Sequence, residues 1–147
     1  MLVVCYTYFM DDYSKMLIKQ YKYWGVYVNG NQSYLGRCVV WCDREDALQL
    51  TDANFEEQKE LFIVLEELQT ASEKVFGGEW FNFSFLGNET RHLHGHFIPR
   101  YSIDKEFEGV VFKDERWGHH YKKPNDAFIT TPEVLESIRL KMREALG

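Results

Sequence analysis

The sequence lacks most features that would place it outside ordinary globular domains. It has only three cysteines and three prolines, no run of lysine or arginine, and no stretch near the roughly 20 apolar residues of a membrane span. Cys5, Cys38 and Cys42 are too few and too irregularly spaced for a disulfide framework, and their odd number fits reduced thiols. No basic region precedes the apolar segment Met1–Met10, so we expect no signal peptide, no membrane association and a cytoplasmic protein.

The charge balance excludes a further class of partner. Lysine and arginine number 17 against 23 acidic residues, which gives a net charge of −6. Proteins that hold nucleic acid through phosphate contacts need a basic surface, so we expect no DNA or RNA partner. Apolar residues are plentiful, because 45% of the chain is hydrophobic and 16% is aromatic. With 147 residues, this composition predicts one domain, residues 1–147, with a core of its own.

Four short segments have the composition of strands. Trp24–Asn29 and Leu35–Cys42 are rich in Val, Tyr and Trp, and the turn-forming cluster at residues 30–33 joins them as an antiparallel pair. Trp80–Leu86 alternates between phenylalanine and other residues, and His92–Tyr101 follows it after a turn. These segments predict an antiparallel sheet.

Two other segments predict helices, so the fold class is α+β. The longer helix is expected to begin near Thr51 or Asp52, both good N-caps, and to end at Gly77-Gly78. We expect its acidic residues, including Glu57, on a solvated face. Its predicted buried stripe consists of Phe55, Phe62, Leu65, Leu68, Val75 and Phe76. The last helix opens at Thr131-Pro132-Glu133. Its predicted apolar contacts are Leu135, Ile138, Leu140 and Met142.

The most informative segment carries His92, His94 and His96. Side chains alternate along a strand, so the three imidazoles are expected on one face. Pairing with the preceding strand places Asn82 and Ser84 beside them, because a slip of one residue would expose every phenylalanine of that strand. The opposite, apolar face receives Leu93, Gly95 and Phe97, with Phe81, Phe83 and Phe85.

Two kinds of ligand suit such a face. Two histidines at positions i and i+2 can share a zinc ion. His92 and His96 are about 13 Å apart along a strand, however, so all three histidines converge on one ion only with difficulty. A polyphosphate is extended and fits the row better. The central histidine would then attack phosphorus, one flanking histidine would meet the leaving group, and the other would orient the nucleophile.

The segment His92–Ile98, His-Leu-His-Gly-His-Phe-Ile, resembles the histidine triad motif, His-φ-His-φ-His-φ-φ, where φ is an apolar residue. Other segments support the resemblance. Tyr34–Val40 is similar to the family's Gly-His-x-Leu-Val-Ile strand, and Leu50-Thr51-Asp52 is similar to the start of its long helix. Phe107-Glu108-Gly109 and Asp114–Tyr121 resemble the tail of a subgroup described as diadenosine-tetraphosphate-hydrolase-like.

The resemblance implies both a fold and a chemistry. The fold is a small α+β domain with an antiparallel sheet of about five strands, one long helix and a C-terminal helix, and it pairs into a homodimer with a continuous sheet. Members hydrolyse or transfer nucleotides at the α-phosphate, and we expect neither a cofactor nor a metal. By position, His94 is the nucleophile that forms a nucleotidyl-histidine. His96 contacts the phosphate and the leaving group, and His92 supports His94.

Three more residues fall at binding positions of the family. Asn29 stands where relatives have a ribose-binding Asp or Asn, and Asn88 lies in the turn where relatives have a polar phosphate contact. Arg37 replaces the histidine of Gly-His, and it either holds a polyphosphate through its planar guanidinium or packs and pairs at the surface. His119-His120 is expected to be a surface loop or a lid over the leaving group.

These observations predict a nucleotide hydrolase that acts on a nucleoside polyphosphate or related conjugate, with a small-molecule nucleotide as its partner. A nucleotidyl transferase or phosphorylase is one alternative. A nucleotide-binding module with little turnover is another. The leaving group is not predicted, because the sequence does not distinguish a dinucleoside polyphosphate substrate from an adenosine phosphoramidate.

Overall fold

The computed structural model describes residues 13–122 and 127–147, so Met1–Met10 and Cys5 lie outside the described residues. Short 3₁₀ turns occur at Ser14–Met16 and Leu50–Asp52. The strands and α-helices are, in chain order, β1 (Leu17–Gln20), β2 (Trp24–Val28), β3 (Cys38–Cys42), α1 (Phe55–Phe76), β4 (Trp80–Ser84), β5 (His94–Arg100), β6 (Lys105–Phe107), β7 (Val110–Phe112) and α2 (Pro132–Leu146).

The first five strands form one antiparallel sheet in the order β1-β2-β3-β5-β4, and β6 and β7 form a separate hairpin. Both helices pack on the same face of the large sheet and bury one continuous apolar core there. This arrangement confirms the predicted α+β fold with a five-stranded antiparallel sheet, a long helix and a C-terminal helix. The opposite face of the sheet carries no helix within the described part of the chain.

Strand register assigns side chains to the two faces. On β3, Val39 and Trp41 point away from the helices and lie opposite His96 and His94 of β5. Ser84 of β4 lies opposite His96 from the other side, so it shares the histidine face as predicted. The helix-facing side holds Cys38, Val40, Cys42 and Phe97, with the rings of Phe81 and Phe83 packed on Phe97.

Two strands begin later than the sequence predicts. β3 starts at Cys38 rather than Leu35, because Gly36 adopts a left-handed conformation (φ 81°) and the Arg37 N–H donates to the Tyr34 carbonyl in a turn. β5 starts at His94, so His92 precedes the strand instead of lying in it. The rings of His92 and His94 nevertheless both stack on Trp41, which places them on the same side of the sheet.

Gly95, the small residue of the motif, is explained by the layer beneath it. A Cβ atom at this position would lie 2.4 Å from Cε1 of Phe85, far inside van der Waals contact. The Phe85 ring therefore occupies the space that an apolar side chain at Gly95 would need. Because both residues lie on the apolar side of β5, the glycine serves packing and leaves the histidine face unchanged.

The start of α1 differs from its prediction. The helix begins at Phe55, because the Asn54 side chain accepts from the Glu57 N–H and the Glu57 carboxylate accepts from the Asn54 N–H. Thr51 and Asp52 belong to the preceding 3₁₀ turn. The predicted end is confirmed, since Gly77 closes the helix in the left-handed conformation.

The buried face of α1 also differs. Phe55 and Phe62 are 69% and 73% exposed, whereas Glu57 is 2% exposed. Glu57 tolerates burial because Arg44 holds its carboxylate at 2.8 Å, and the residues at helical spacing from Glu57 turn inward with it. The buried stripe is Leu61, Val64, Leu68, Ala71, Ser72 and Phe76.

The C-terminal helix α2 is capped by Thr131, whose hydroxyl accepts from the Val134 N–H, as predicted. It buries Val134, Leu135, Ile138, Met142 and Leu146. Leu140 is 49% exposed, so its predicted core contact is wrong. Neither helix of the described residues is long and apolar enough to cross a membrane.

Candidate active site

The candidate site lies on the helix-free face of the sheet, where β3 and β5 pair. The ring centroids of His94 and His96 are 5.3 Å apart in an edge-to-face arrangement. Both side chains are half-buried, so they are supported by the protein and still reachable from solvent. Their chemistry depends on where each ring carries its proton.

The proton position on His94 follows from a backbone contact. Its Nδ1 atom lies 2.7 Å from the carbonyl oxygen of His92. A carbonyl oxygen only accepts hydrogen bonds, so Nδ1 carries the proton and Nε2 of the neutral ring carries a lone pair. A neutral imidazole with an accessible lone pair is a competent nucleophile. This proton placement leaves Nε2 as the ring atom available for attack, and the role of His94 stays a prediction.

His92 holds this arrangement in place. Its side chain is buried, its Nε2 lies 2.7 Å from the Cys42 carbonyl oxygen, and its ring stacks on Trp41 with centroids 4.1 Å apart. Burial lowers the pKa of His92, so the ring is neutral near pH 7. His92 thus supplies a fixed carbonyl to His94 and a buried ring to the packing, and its role in catalysis stays a prediction.

Arg37 meets His96 from the neighbouring strand region. The Nη2 atom of Arg37 lies 3.4 Å from Nδ1 of His96. A guanidinium only donates, so Nδ1 of His96 accepts and the neutral ring keeps its proton on Nε2. His94 and His96 therefore carry their protons on opposite nitrogens. One ring offers a lone pair and the other offers an N–H donor.

Arg37 is itself a buried cation whose partners are incomplete. It is 8% exposed, so the surface alternative is wrong. Nη1 lies 3.4 Å from the side-chain oxygen of Asn29, and Nε has no hydrogen-bond partner in residues 13–122 and 127–147. No carboxylate in that part of the chain pairs with Arg37, and burial lowers its pKa. A buried guanidinium in this state favours an anionic ligand.

Comparison with known proteins agrees with this arrangement. No family profile and no curated protein matches the chain. A histidine triad nucleotide-binding protein of Sulfolobus tokodaii, described as hypothetical, is 15% identical with a TM-score of 0.68, over 89% of this chain and 83% of that one. A histidine triad protein of Marinobacter aquaeolei is 20% identical with a TM-score of 0.67, over 92% and 93%. The chain has the histidine triad fold.

A third solved structure adds a named activity. The diadenosine triphosphate hydrolase of Plasmodium falciparum is 14% identical with a TM-score of 0.58, and the match covers 90% of this chain and 74% of that protein. At these identities the likeness concerns the histidine triad fold.

The predicted binding residues divide into two groups. Asn29 lies at the site, because its side-chain oxygen faces Arg37 and also accepts from the Asn31 N–H at 2.9 Å. Asn88 is exposed in the turn at residues 88–90, and no hydrogen bond joins it to the three histidines. The structure thus brings Asn29, Arg37 and the triad together, and the role of Asn88 as a phosphate contact stays a prediction.

Sequence reasoning missed Trp41 and Tyr121. Trp41 stacks on His94 as well as His92, with the His94 centroid 5.4 Å away. Its signal was available, because Trp41 alternates with Val39 on the strand that pairs with β5. Tyr121 had no such signal, because it reaches the site from a distant loop. Among the described residues, no three His, Cys, Asp or Glu side chains are placed to hold a metal ion.

The pKa of His96 is lowered to about 4, first by burial and then by the charges of Arg37 and His94. An ordinary histidine titrates near 6.5, so His96 stays neutral in the fold at pH values where the unfolded chain is already protonated. The unfolded state then binds more protons, and stability falls as the pH drops from about 6.5 toward 4. Near pH 7, His96 therefore acts as a neutral donor.

We predict that NMR titration of the His96 ring gives a midpoint near 4 and that Arg37→Met raises it. Methionine keeps the length of the side chain and removes the charge that disfavours a second cation. Lys59→Met removes an exposed charge from α1 and serves as the control. An unchanged midpoint in Arg37→Met would show that Arg37 does not act on His96.

Proposed function

We propose that this chain is a histidine triad nucleotide hydrolase that cleaves a phosphoric anhydride at the α-phosphate of a nucleotide. The observation that supports the proposal most directly is the opposed proton placement of His94 and His96. The buried guanidinium of Arg37 beside them adds an attraction for the phosphates. The diadenosine triphosphate hydrolase with the same fold makes a dinucleoside polyphosphate a suitable first substrate. Membership of the histidine triad family, and of its diadenosine-tetraphosphate-hydrolase-like subgroup, is part of this proposal.

In the first step, Nε2 of His94 attacks the α-phosphorus. The Nε2–P bond forms as the bond to the leaving phosphate breaks, and the leaving group departs with the electron pair. The His94 ring becomes cationic, and its Nδ1–H bond to the His92 carbonyl stabilises that charge. His96 Nε2–H and Arg37 donate hydrogen bonds to the departing anion.

In the second step, water attacks the nucleotidyl-histidine. A new P–O bond forms, the N–P bond breaks, and its electron pair returns to Nε2 of His94. One proton of the water stays on the nucleotide oxygen and the other is released to solvent. Two successive displacements replace one direct attack by water. A histidine already oriented by the backbone then breaks the anhydride bond.

Product identity separates this hydrolase from its alternatives. Incubation with diadenosine tetraphosphate should give AMP and ATP. Added phosphate that redirects the products to ADP and ATP would indicate a phosphorylase. A thermal shift without turnover would indicate a binding module.

We predict that His94→Ala lowers kcat by about 10³-fold or more while the fold is retained, because the covalent route has no substitute nucleophile. Product release from diadenosine tetraphosphate and a thermal melt measure the two effects. Lys59→Ala removes an exposed side chain of α1, far in sequence from the triad, and is the control. Activity above about a tenth of the wild-type kcat, a loss of less than ~1.4 kcal/mol, would contradict the assignment.

Arg37 gives a second prediction. Arg37→Ala should lower kcat/KM more for a dinucleoside polyphosphate than for an adenosine phosphoramidate, since only the first has leaving phosphates to receive its hydrogen bonds. Arg37→Lys should restore part of the loss, because a point charge does not reproduce the planar fork. Equal losses on both substrates would exclude the phosphate clamp and leave the triad assignment intact.

We further propose that the protein is a homodimer that pairs through β4. This strand is an edge of the sheet, and an antiparallel edge can pair with its own copy across a two-fold axis. Exposed apolar side chains lie beside it on β4 and α1, namely Phe83, Phe62 and Ile63. A second copy would cover this patch.

Light scattering should therefore give twice the chain mass of 17.5 kDa. Ile63→Glu should reduce it to the single-chain mass, because a carboxylate would be buried at the contact. Leu140→Glu, on the exposed side of α2, should leave the mass unchanged. A wild-type mass of one chain would refute the dimer.

A further inference from the structure

A loop distant in sequence reaches the histidine face. Residues 114–122, here called the 114–122 segment, follow the β6–β7 hairpin and end beside β4. The hydroxyl of Tyr121 donates to Oγ of Ser84 at 2.8 Å. Ser84 lies directly opposite His96, and their side chains share a face. Tyr121 therefore stands next to the leaving-group end of the proposed site.

The contacts around Tyr121 place it beside Arg37 as well. Its ring packs edge-on against Tyr34, with centroids 6.3 Å apart, and the Lys122 N–H donates to the Tyr34 hydroxyl at 3.0 Å. The Tyr34 carbonyl in turn accepts from the Arg37 N–H. Tyr121 is also close enough to act electrostatically on the Arg37 guanidinium.

Arg100 fixes the 114–122 segment. Its guanidinium is 2% exposed and makes a two-pronged ion pair with Asp114 at 2.7 and 3.0 Å. The remaining donors reach the Arg116 and His119 carbonyls and the Asn82 side chain at 2.7–2.9 Å. All five N–H groups are used, so the segment is held to β4 and β5 by buried, charge-assisted bonds.

The hydroxyl pair has a donor to spare. Tyr121 and Ser84 together own two O–H groups, and one bond between them uses a single hydrogen. The other O–H can donate to a ligand. This O–H adds a donor to the cluster formed by His96 Nε2–H and the unpartnered Nε of Arg37. Among the described residues, no carboxylate belongs to this cluster.

We propose that Tyr121 and Ser84 form a subsite for a tetrahedral oxyanion, a phosphate or a sulfate, on the leaving-group side of the site. The subsite rests on the proposed hydrolase. It makes the enzyme selective for nucleotides whose leaving group is anionic over those whose leaving group is an uncharged amine. The β-phosphate of a nucleoside polyphosphate and the sulfate of an adenosine phosphosulfate share the required chemistry.

The kinetic test compares substrates by leaving group. Tyr121→Phe keeps the ring on Tyr34 and removes the hydroxyl. We expect kcat/KM for a substrate with an anionic leaving group, divided by kcat/KM for an adenosine phosphoramidate, to fall about tenfold or more. Diadenosine tetraphosphate and adenosine phosphosulfate are the two substrates with an anionic leaving group. The one whose kcat/KM ratio falls more identifies the oxyanion. Tyr23→Phe, on the β1–β2 turn, should keep the ratio. An unchanged ratio in Tyr121→Phe overturns the subsite and leaves the hydrolase standing.

A binding test does not depend on turnover. Calorimetry of wild type and Tyr121→Phe with AMP and with the α,β-methylene analogue of ADP isolates the second phosphate. The variant should lose about tenfold affinity for the analogue beyond any change for AMP. Ser84→Ala should reproduce the loss if Tyr121→Phe folds poorly. Equal changes for both ligands in both variants refute the subsite. The expected loss in a protein that turns over no substrate supports the subsite while refuting the hydrolase.

Discussion

The hydrogen bond from His94 Nδ1 to the His92 carbonyl is the contact on which the site depends. It commits one ring nitrogen to the backbone, so the other must face the ligand with a lone pair. The bond forms because His92 lies just before β5 begins. Stacking on Trp41 and a hydrogen bond with the Cys42 carbonyl oxygen hold its ring in place. The proposed nucleophile is thus oriented by backbone geometry, and the neighbouring carboxylate found in many catalytic triads is not needed for this purpose.

Two buried arginines beside the site show opposite uses of the same side chain. Arg100 donates all five of its N–H groups to protein acceptors, including a carboxylate. Its charge is therefore neutralised, and it holds the 114–122 segment in place. Arg37 makes two long contacts of 3.4 Å to uncharged atoms and leaves Nε without a partner in the described chain. Burying a cation in that state costs free energy, and an anionic ligand would offset the cost. By this geometry Arg100 stabilises the fold, whereas Arg37 keeps the unfilled donor on which its proposed role in binding rests.

The sequence was sufficient for the four strands β2 to β5, the two faces of the sheet and the grouping of His94, His96 and Ser84, because a period of two leaves one register that turns the phenylalanines toward the helices. It did not reveal β1, β6 or β7, which are short. It was insufficient where distant residues decide. Glu57 is buried only because Arg44 pairs with it, and this rotates α1 so that Phe62 faces outward. Tyr121 reaches Ser84 only because a loop is anchored elsewhere. Neither pairing leaves a periodic signal in the chain.

The neutral state of His96 limits the chemistry of the site in a way that motif resemblance does not reveal. Without a ligand, a ring whose pKa is lowered to about 4 is neutral near pH 7 and donates a hydrogen bond rather than a proton. In the proposed reaction, a leaving group that departs as a stable anion, such as a phosphate or a sulfate, would need no proton from His96, whereas an alkoxide would need one. An arriving anion opposes the field of Arg37 and so raises the pKa of His96 toward its ordinary value. A phosphate held by Arg37, as proposed, would therefore offset the charge that keeps His96 neutral, and its binding would favour protonation of the ring that faces the leaving group.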